Sequence, residues 1–424
     1  MSKNKKTLKL HIRKMVALVA LVAMTASLLT GCDALDFHKK GKETQRISLD
    51  NSNVQTDIII VEKVEELDNA SKISELPEKD LAKANEELVK SDGPKYYAYE
   101  QLNDEERVLY TEIYSIISAC SSDTKVSSKD PDQIEKCFSY VMLDHPELFY
   151  LTGYSFTKYM RGSNIEKITL SGNYTMTRKE MEEKNLEVAA YIDSFTSQYD
   201  GPVDDYEKVK FVYEHLIKST EYDMDVVNNQ NILSVIEEGK TVCQGYAKTM
   251  QLILNKMGVF CILSEGIVKG TESHVWNIVK IDDKYYHVDA TWGDASYMIE
   301  DGAGDFEAPE INYDYLCIPD KEIKKTHVFK DNIELPVCDS MQDNYYVREG
   351  LYLTELDTGI ISEAFKRARD NGETVVTLKC ADANVYQALF KHLVDNHGIF
   401  EYLNGSTTVN YVQFRDACRI SFYI

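Results

Sequence analysis

Residues 241–292 carry the pattern that most narrows the fold. Thr241 to Met257 (TVCQGYAKTMQLILNKM) reads as a helix, with Gly258 at the C′ position that would close it. Three β-favouring runs follow, Val259–Val268, His274–Ile281 and Lys284–Thr291, with Asp282-Asp283 as a tight turn between the last two. The order predicts a helix followed by three antiparallel strands with tight connections.

Cys243 sits at the predicted start of that helix. A helix N-terminus has unsatisfied N–H groups and a partial positive charge, which favour a thiolate and could also stabilise an oxyanion on an attacked carbonyl. Taken alone, Cys243 reads first as a buried helix residue. The next fifty residues add what a nucleophile needs. If the turn is centred between residues 282 and 283, Trp276 faces Asp289 and His274 faces Thr291. His274 is then the diagonal neighbour of Asp289, about 7–8 Å away and within side-chain reach. A carboxylate there can hold one imidazole nitrogen and turn the other toward a thiolate. An odd-length turn would shift the register by one and place the two on opposite faces. His287 lies by alternation on the face of Asp289 and competes for the role of base. A zinc site from His274, His287 and Asp289 is a further alternative, though it leaves Cys243 without a part.

Thr-Val-Cys243-Gln244-Gly-Tyr246-Ala, then His274-Val-Trp276-Asn, then Tyr-His287-Val-Asp289-Ala-Thr-Trp together resemble the transglutaminase-like superfamily. The segment Thr220-Glu221-Tyr222-Asp223 resembles the stretch before the nucleophile in bacterial members, and the resemblance covers about residues 205–295. It implies a papain-like α+β core in which Cys243 is the nucleophile, His274 the base and Asp289 its orienter. Members act on amide bonds as crosslinkers, deamidases or peptidases, and some are inactive. The acidic calcium cluster of the animal enzymes has no clear counterpart here, so neither a metal nor a cofactor is expected. No side-chain oxyanion donor stands out. Trp276, Tyr222 and Tyr246 are candidates, each better suited to core packing, and Gln244 and His287 complete the candidate supporting residues.

The N-terminus sets location. Six basic residues and no acid precede Cys32, and Met15–Leu29 runs fifteen residues without a charge. That is short of the roughly 20 needed to span a bilayer and right for a signal peptide. Leu29-Thr30-Gly31-Cys32 resembles the lipobox of bacterial lipoproteins, which implies lipidation at Cys32 and an extracytoplasmic, membrane-anchored protein. An ordinary secretory signal is the alternative. The net charge is −23, and −29 without residues 1–31, so nucleic-acid binding is not expected. Eight cysteines remain after Cys32 and none form a CxxC pair, which argues against structural zinc. With one catalytic, seven are left and at least one more is unpaired.

The expected organisation is a signal peptide over 1–31, a polar tether over 32–93 with Ile58–Val61 as a short strand, and an N-terminal α/β extension over 94–200. A transglutaminase-like core over 201–336 and a small C-terminal α/β unit over 340–424 follow. Within the extension, residues 102–118 read as a helix with Leu109, Ile113, Ile116 and Ile117 as its apolar stripe, capped by Asn103 or Asp104. Residues 147–176 read as a hairpin and 185–198 as a helix. A helix capped by Asp204 or Asp205 buries Val209, Val212, Tyr213, Leu216 and Ile217. In the C-terminal unit, Tyr345–Leu353, Thr374–Leu378 and parts of 409–424 read as strands, and Ile360–Arg369 and Val385–Val394 as helices.

Two functions fit. One is a cysteine enzyme acting on a protein or peptide substrate, cell-wall material included, through a thioester. The other is a non-catalytic surface module that binds peptide or glycan in the same cleft, for which an intact Cys-His-Asp set has no use.

Overall fold

The computed structural model describes residues 43–45, 59–67, 73–89, 96–270, 272–294 and 311–424. The signal segment and Cys32 lie outside the described residues. Five strands form the first sheet: β1 (Glu43–Gln45), β2 (Ile59–Glu66), β3 (Thr124–Val126), β4 (Leu151–Arg161) and β5 (Asn164–Tyr174), in the order β1-β2-β4-β5-β3. β4 and β5 are the expected hairpin.

The polar-tether expectation over 32–93 needs correcting in two places. β2 runs parallel to β4 from Ile59 opposite Gly153 to Glu66 opposite Met160. Its sequence IIVEKVEE is only half-buried, and Glu62 pairs with Lys158 at 2.7 Å. Ladder hydrogen bonds and ion pairs, not an apolar face, hold it, so hydrophobic patterning does not reveal more than its first residues. Gly153 permits the approach: its φ is +154°, and a Cβ there would lie 2.2 Å from the Ile59 carbonyl oxygen. Helix α1 (Glu78–Val89) follows, with Ala84 and Leu88 buried.

Helix α2 (Asp104–Ser118) starts with a capping box between Asn103 and Glu106 and buries the expected stripe completely. Helix α3 (Pro131–Asp144), capped by Asp130, was not read from the sequence. Helix α4 (Arg178–Thr196) begins seven residues earlier than the apolar pattern suggests, because the capping box Thr177–Glu180 opens a first turn that is almost wholly solvent-facing. Helix α5 (Asp205–Ser219) is capped by Asp204 and buries its five predicted residues. One apolar core joins these helices, the first sheet and the elements described next, from Leu88 to Cys317.

The short pair β6 (Glu221–Tyr222) and β7 (Lys240–Thr241) brackets helix α6 (Ile232–Glu238) and leads into helix α7 (Cys243–Lys256). Gly258 follows at φ +80°. α7 packs on a sheet of β8 (Cys261–Val268), β9 (Glu272–Ile281), β10 (Lys284–Val288) and β11 (His327–Phe329), ordered β10-β9-β8-β11 and antiparallel throughout. The turn is even: Lys284 faces Ile281 and Val288 faces Asn277, which is the register centred between 282 and 283. Asp282 takes φ +50°, a conformation Asp tolerates. Helix α8 (Ala290–Gly293) follows β10 and packs on α5 and α7, and helix α9 (Asp320–Ile323) lies against β10.

A third sheet, with its own core of Leu353, Phe365, Leu378, Leu389 and Phe422, is built from β12 (Tyr352–Leu353), β13 (Val375–Cys380), β14 (Asn410–Phe414) and β15 (Arg419–Tyr423). Helices α10 (Thr358–Asn371) and α11 (Ala383–Phe390) cover it. The strand expected over 345–353 is mostly not a strand: Asn344 accepts from the Tyr346 N–H and starts a helical turn, leaving only Tyr352–Leu353 paired. Lys379 and Arg419 both bind Asp314 at 2.9 Å, tying this sheet to the preceding segment. Among the described residues no helix is long and apolar enough to cross a membrane. The eight cysteines from Cys120 to Cys418 are free, and six of them are buried.

Candidate active site

Cys243 is the first residue of α7 and is 3% exposed. Its N-cap, Val242, has an extended backbone and no side-chain cap, so no side chain of the cap consumes the helix's first amides. The approach to the helix is held by backbone and hydroxyl bonds. Val242 N–H donates to the Asn229 carbonyl at 3.3 Å, and Asp223 N–H donates to the Thr241 carbonyl at 2.9 Å. The Thr241 hydroxyl donates to the Asn229 carbonyl and accepts from Ser234, both at 2.8 Å. Gly245 leaves room for Thr241: a Cβ there would stand 1.8 Å from Thr241 Oγ1.

His274 lies in β9 and Asp289 just beyond β10, capping α8. His274 Nε2–H donates to Asp289 Oδ2 at 2.7 Å, and both side chains are almost wholly buried. That bond leaves Nδ1 as the free ring nitrogen, and His274 is also hydrogen-bonded to the Cys243 side chain. Asn277, in the same strand, donates to the Ala247 carbonyl of α7 at 3.0 Å and fixes strand against helix. Burial alone would depress the His274 pKa, but the Asp289 carboxylate and the Cys243 contact outweigh it and raise it to about 10. For Asp289, burial would raise the pKa, and the His274 and His327 imidazoles instead hold it well below the usual carboxylate range.

His327 is the site residue that sequence reasoning missed. It enters on three-residue β11, is fully buried, and its Nε2–H donates to the same Asp289 Oδ2 at 3.0 Å. Asp289 Oδ1 accepts the Trp292 N–H at 3.1 Å. The only sequence signal is a histidine beginning the β-favouring Thr-His-Val-Phe, in a stretch without period.

The other candidates divide. His287, the competing base, does not join Asp289. Its Nδ1 accepts the Trp276 indole N–H at 3.0 Å, and its Nε2–H donates to Asp320 Oδ1 at 3.0 Å. Its backbone forms an isolated antiparallel bridge to Ile318, which the hairpin pattern alone does not show. Trp276 is thereby committed to His287 and is not a free oxyanion donor, though its ring lies 6.1 Å from that of His274. The Tyr246 hydroxyl, fully buried, is bound between the Thr220 carbonyl at 2.8 Å and Asp294 Oδ2 at 3.0 Å. Burial and the Asp294 carboxylate push its pKa far up, so it stays a phenol. Tyr222 lies in β6 and Gln244 in the first turn of α7, each half-buried.

Among the described residues, two groups bring metal-type ligand atoms together: His274, Asp289 and His327, and His287, Asp320 and Cys338. The zinc set weighed from sequence is therefore regrouped, with His327 in place of His287. In the second group, Trp276 donating to Nδ1 puts the His287 proton on Nε2, which then has no lone pair for a metal. In the first, both Nε2 atoms are engaged with one carboxylate oxygen at N–H···O distances. Either group takes a metal only by giving up those bonds.

The profile of the Transglutaminase-like superfamily matches residues 193–290. The mouse (Mus musculus) kyphoscoliosis peptidase is 26% identical over 105 residues, covering 21% of this chain and 16% of that protein. The chain thus spans about a sixth of the length of that relative. Among solved structures, a TGase crystal structure is 14% identical with a TM-score of 0.24, covering 37% of this chain and 53% of that one. A provisionally assigned cysteine protease from Cytophaga hutchinsonii is 19% identical with a TM-score of 0.22, covering 27% and 39%.

Proposed function

We propose, from the match of residues 193–290 to the transglutaminase-like superfamily, that the chain is a cysteine enzyme cleaving or transferring amide or peptide acyl groups through Cys243, His274 and Asp289. The observation that carries it is the relay itself: His274 is bonded to Asp289 at 2.7 Å through Nε2 and to the Cys243 side chain on its other side. A binder has no need of that arrangement.

The geometry supports a two-step reaction. With the proton on His274, the Cys243 sulfur attacks a carboxamide or peptide carbonyl. The amides at the start of α7, which no cap side chain occupies, are available to stabilise the negative charge that develops on the attacked carbonyl oxygen. Asp289 holds the His274 imidazolium in orientation while it gives its proton to the leaving amine. A thioester remains on Cys243. Water yields an acid, and an amine yields a new amide, with the same triad serving both. Hydrolysis and crosslinking share every step but the last, and peptidase and deamidase activities differ only in the amine that leaves.

The N-terminal pattern ending in Cys32 supports placing this chemistry outside the cytoplasm, on a lipid anchor, with protein or peptide substrates that include cell-wall material. The test compares the mature protein with Cys243→Ala on wall peptides and amide-bearing proteins. Release of ammonia or of new amino termini by the wild type, abolished in the variant, supports the proposal. Equal release by both would place the chemistry elsewhere.

A further inference from the structure

Asp289 Oδ2 accepts two imidazole N–H groups, from His274 at 2.7 Å and from His327 at 3.0 Å. His327 comes from a different strand, 38 residues beyond Asp289 in sequence, and has no solvent exposure at its side chain. Both of its ring nitrogens are engaged, since the Thr326 hydroxyl lies 2.8 Å from Nδ1. Aromatic rings box it in: Trp276 at 4.9 Å, Trp292 at 5.0 Å and His274 at 5.3 Å between centroids.

A carboxylate terminal torsion is broad, and a single partner leaves it free to turn. Three donors on two oxygens remove that freedom: Trp292 N–H on Oδ1, and His274 and His327 on Oδ2. A donor on a buried carboxylate also favours its ionised form, and His327 is among the causes that lower the Asp289 pKa. An ionised, immobile Asp289 keeps the His274 proton on Nε2 and Nδ1 toward Cys243.

We propose that His327 is a positioning residue of this site, a fourth member that holds Asp289 so that Asp289 can hold His274, with Thr326 orienting His327 in turn. It acts through Asp289 and touches no substrate. The inference rests on the proposed triad, and it differs from a space-filling role in what it demands at this position. Positioning needs an N–H donor, whereas filling needs a ring.

Three variants of the mature protein separate the two. His327→Phe keeps a ring and loses the donor. His327→Gln keeps a donor at similar reach and loses the ring. Thr326→Val removes only the Nδ1 partner. The readout is the rate and pH profile of Cys243 carbamidomethylation, alongside the low-field proton resonance of the His274–Asp289 bond and the thermal midpoint. Positioning predicts that His327→Phe slows labelling about tenfold or more with a shifted profile and a moved resonance, that His327→Gln recovers most of the rate, and that Thr326→Val falls between them. Wild-type rate, profile and resonance in His327→Phe, with loss in His327→Gln, would overturn it. Should His327→Phe fail to fold, unaltered labelling and resonance in Thr326→Val together with loss in His327→Gln would do the same. If wild-type Cys243 itself labels no faster than a free thiol, the triad reading fails and this inference goes with it; fast wild-type labelling unchanged in the variants defeats the inference alone.

Discussion

His274 and Asp289 meet at 2.7 Å although they are not opposite one another in the sheet: the ladder places Asn277 against Val288, so Asp289 falls one step beyond, diagonal to His274. The contact bridges a position where β10 has ended and Asp289 has become the cap of α8. Its carboxylate is therefore held by backbone on one oxygen and free to serve imidazoles on the other. Asp289→Asn keeps the size but offers an amide that can donate to Nε2, which selects the wrong His274 tautomer. Labelling and turnover by Cys243 are expected to fall about 10²–10⁴-fold, with far-UV circular dichroism unchanged.

The same pair sets a pH window for stability. His274 in the folded state is raised from 6.5 to about 10, so its contribution is fully present below pH 6.5 and is lost as pH rises through about 10. Asp289 is depressed, so its contribution is present above its ordinary value near 4 and is lost as pH falls below it. The difference in urea midpoint between wild type and His274→Gln should be largest from about pH 4 to 6.5 and shrink toward pH 10. A flat difference across that range would contradict the pairing.

Asp144 provides a second, structural case. It is buried and accepts from Ala98 N–H at 3.0 Å, Tyr99 N–H at 2.9 Å and the Tyr110 hydroxyl at 3.0 Å. Burial outweighs these donors and raises its pKa to about 6. Asp144→Ala orphans three buried donors and should cost about 3 kcal/mol or more. A raised folded pKa means the native state binds the proton more tightly, so stability gains on acidification from pH 6 toward 4. That gain should be absent in Asp144→Asn, measured by denaturant titration at both pH values.

Gly245→Ala tests the packing under the nucleophile. A Cβ 1.8 Å from Thr241 Oγ1 must displace a hydroxyl already bonded to Asn229 and Ser234. The expected cost is about 1–3 kcal/mol, with slower Cys243 labelling because Thr241 leads directly into the helix start. Thr241→Ala in the same background removes the overlapping Oγ1 and should recover part of both.

The legible parts of this protein were local. The stripe of α2, the five buried residues of α5, the Gly258 stop and the even Asp282-Asp283 turn each follow from period or turn chemistry within one segment. Cys243, His274 and Asp289 could be read because the helix start and one hairpin carry all three. What was hidden joins distant segments. β2 earns its place by backbone pairing to β4 with charged side chains outward, so its composition resembles a tether. His327 acts from a three-residue strand 38 positions away from its partner, and His287 finds Asp320 only through the bridge to Ile318. No window of sequence contains those pairs.

The most direct measurement is the reaction of the mature protein with iodoacetamide across pH, with every labelled cysteine mapped. Cys243 should be labelled selectively well below pH 8, with Cys120 and Cys418, the two more accessible thiols, lagging behind. Labelling of Cys243 no faster than a free cysteine, or later than those two, would contradict a nucleophile activated by His274.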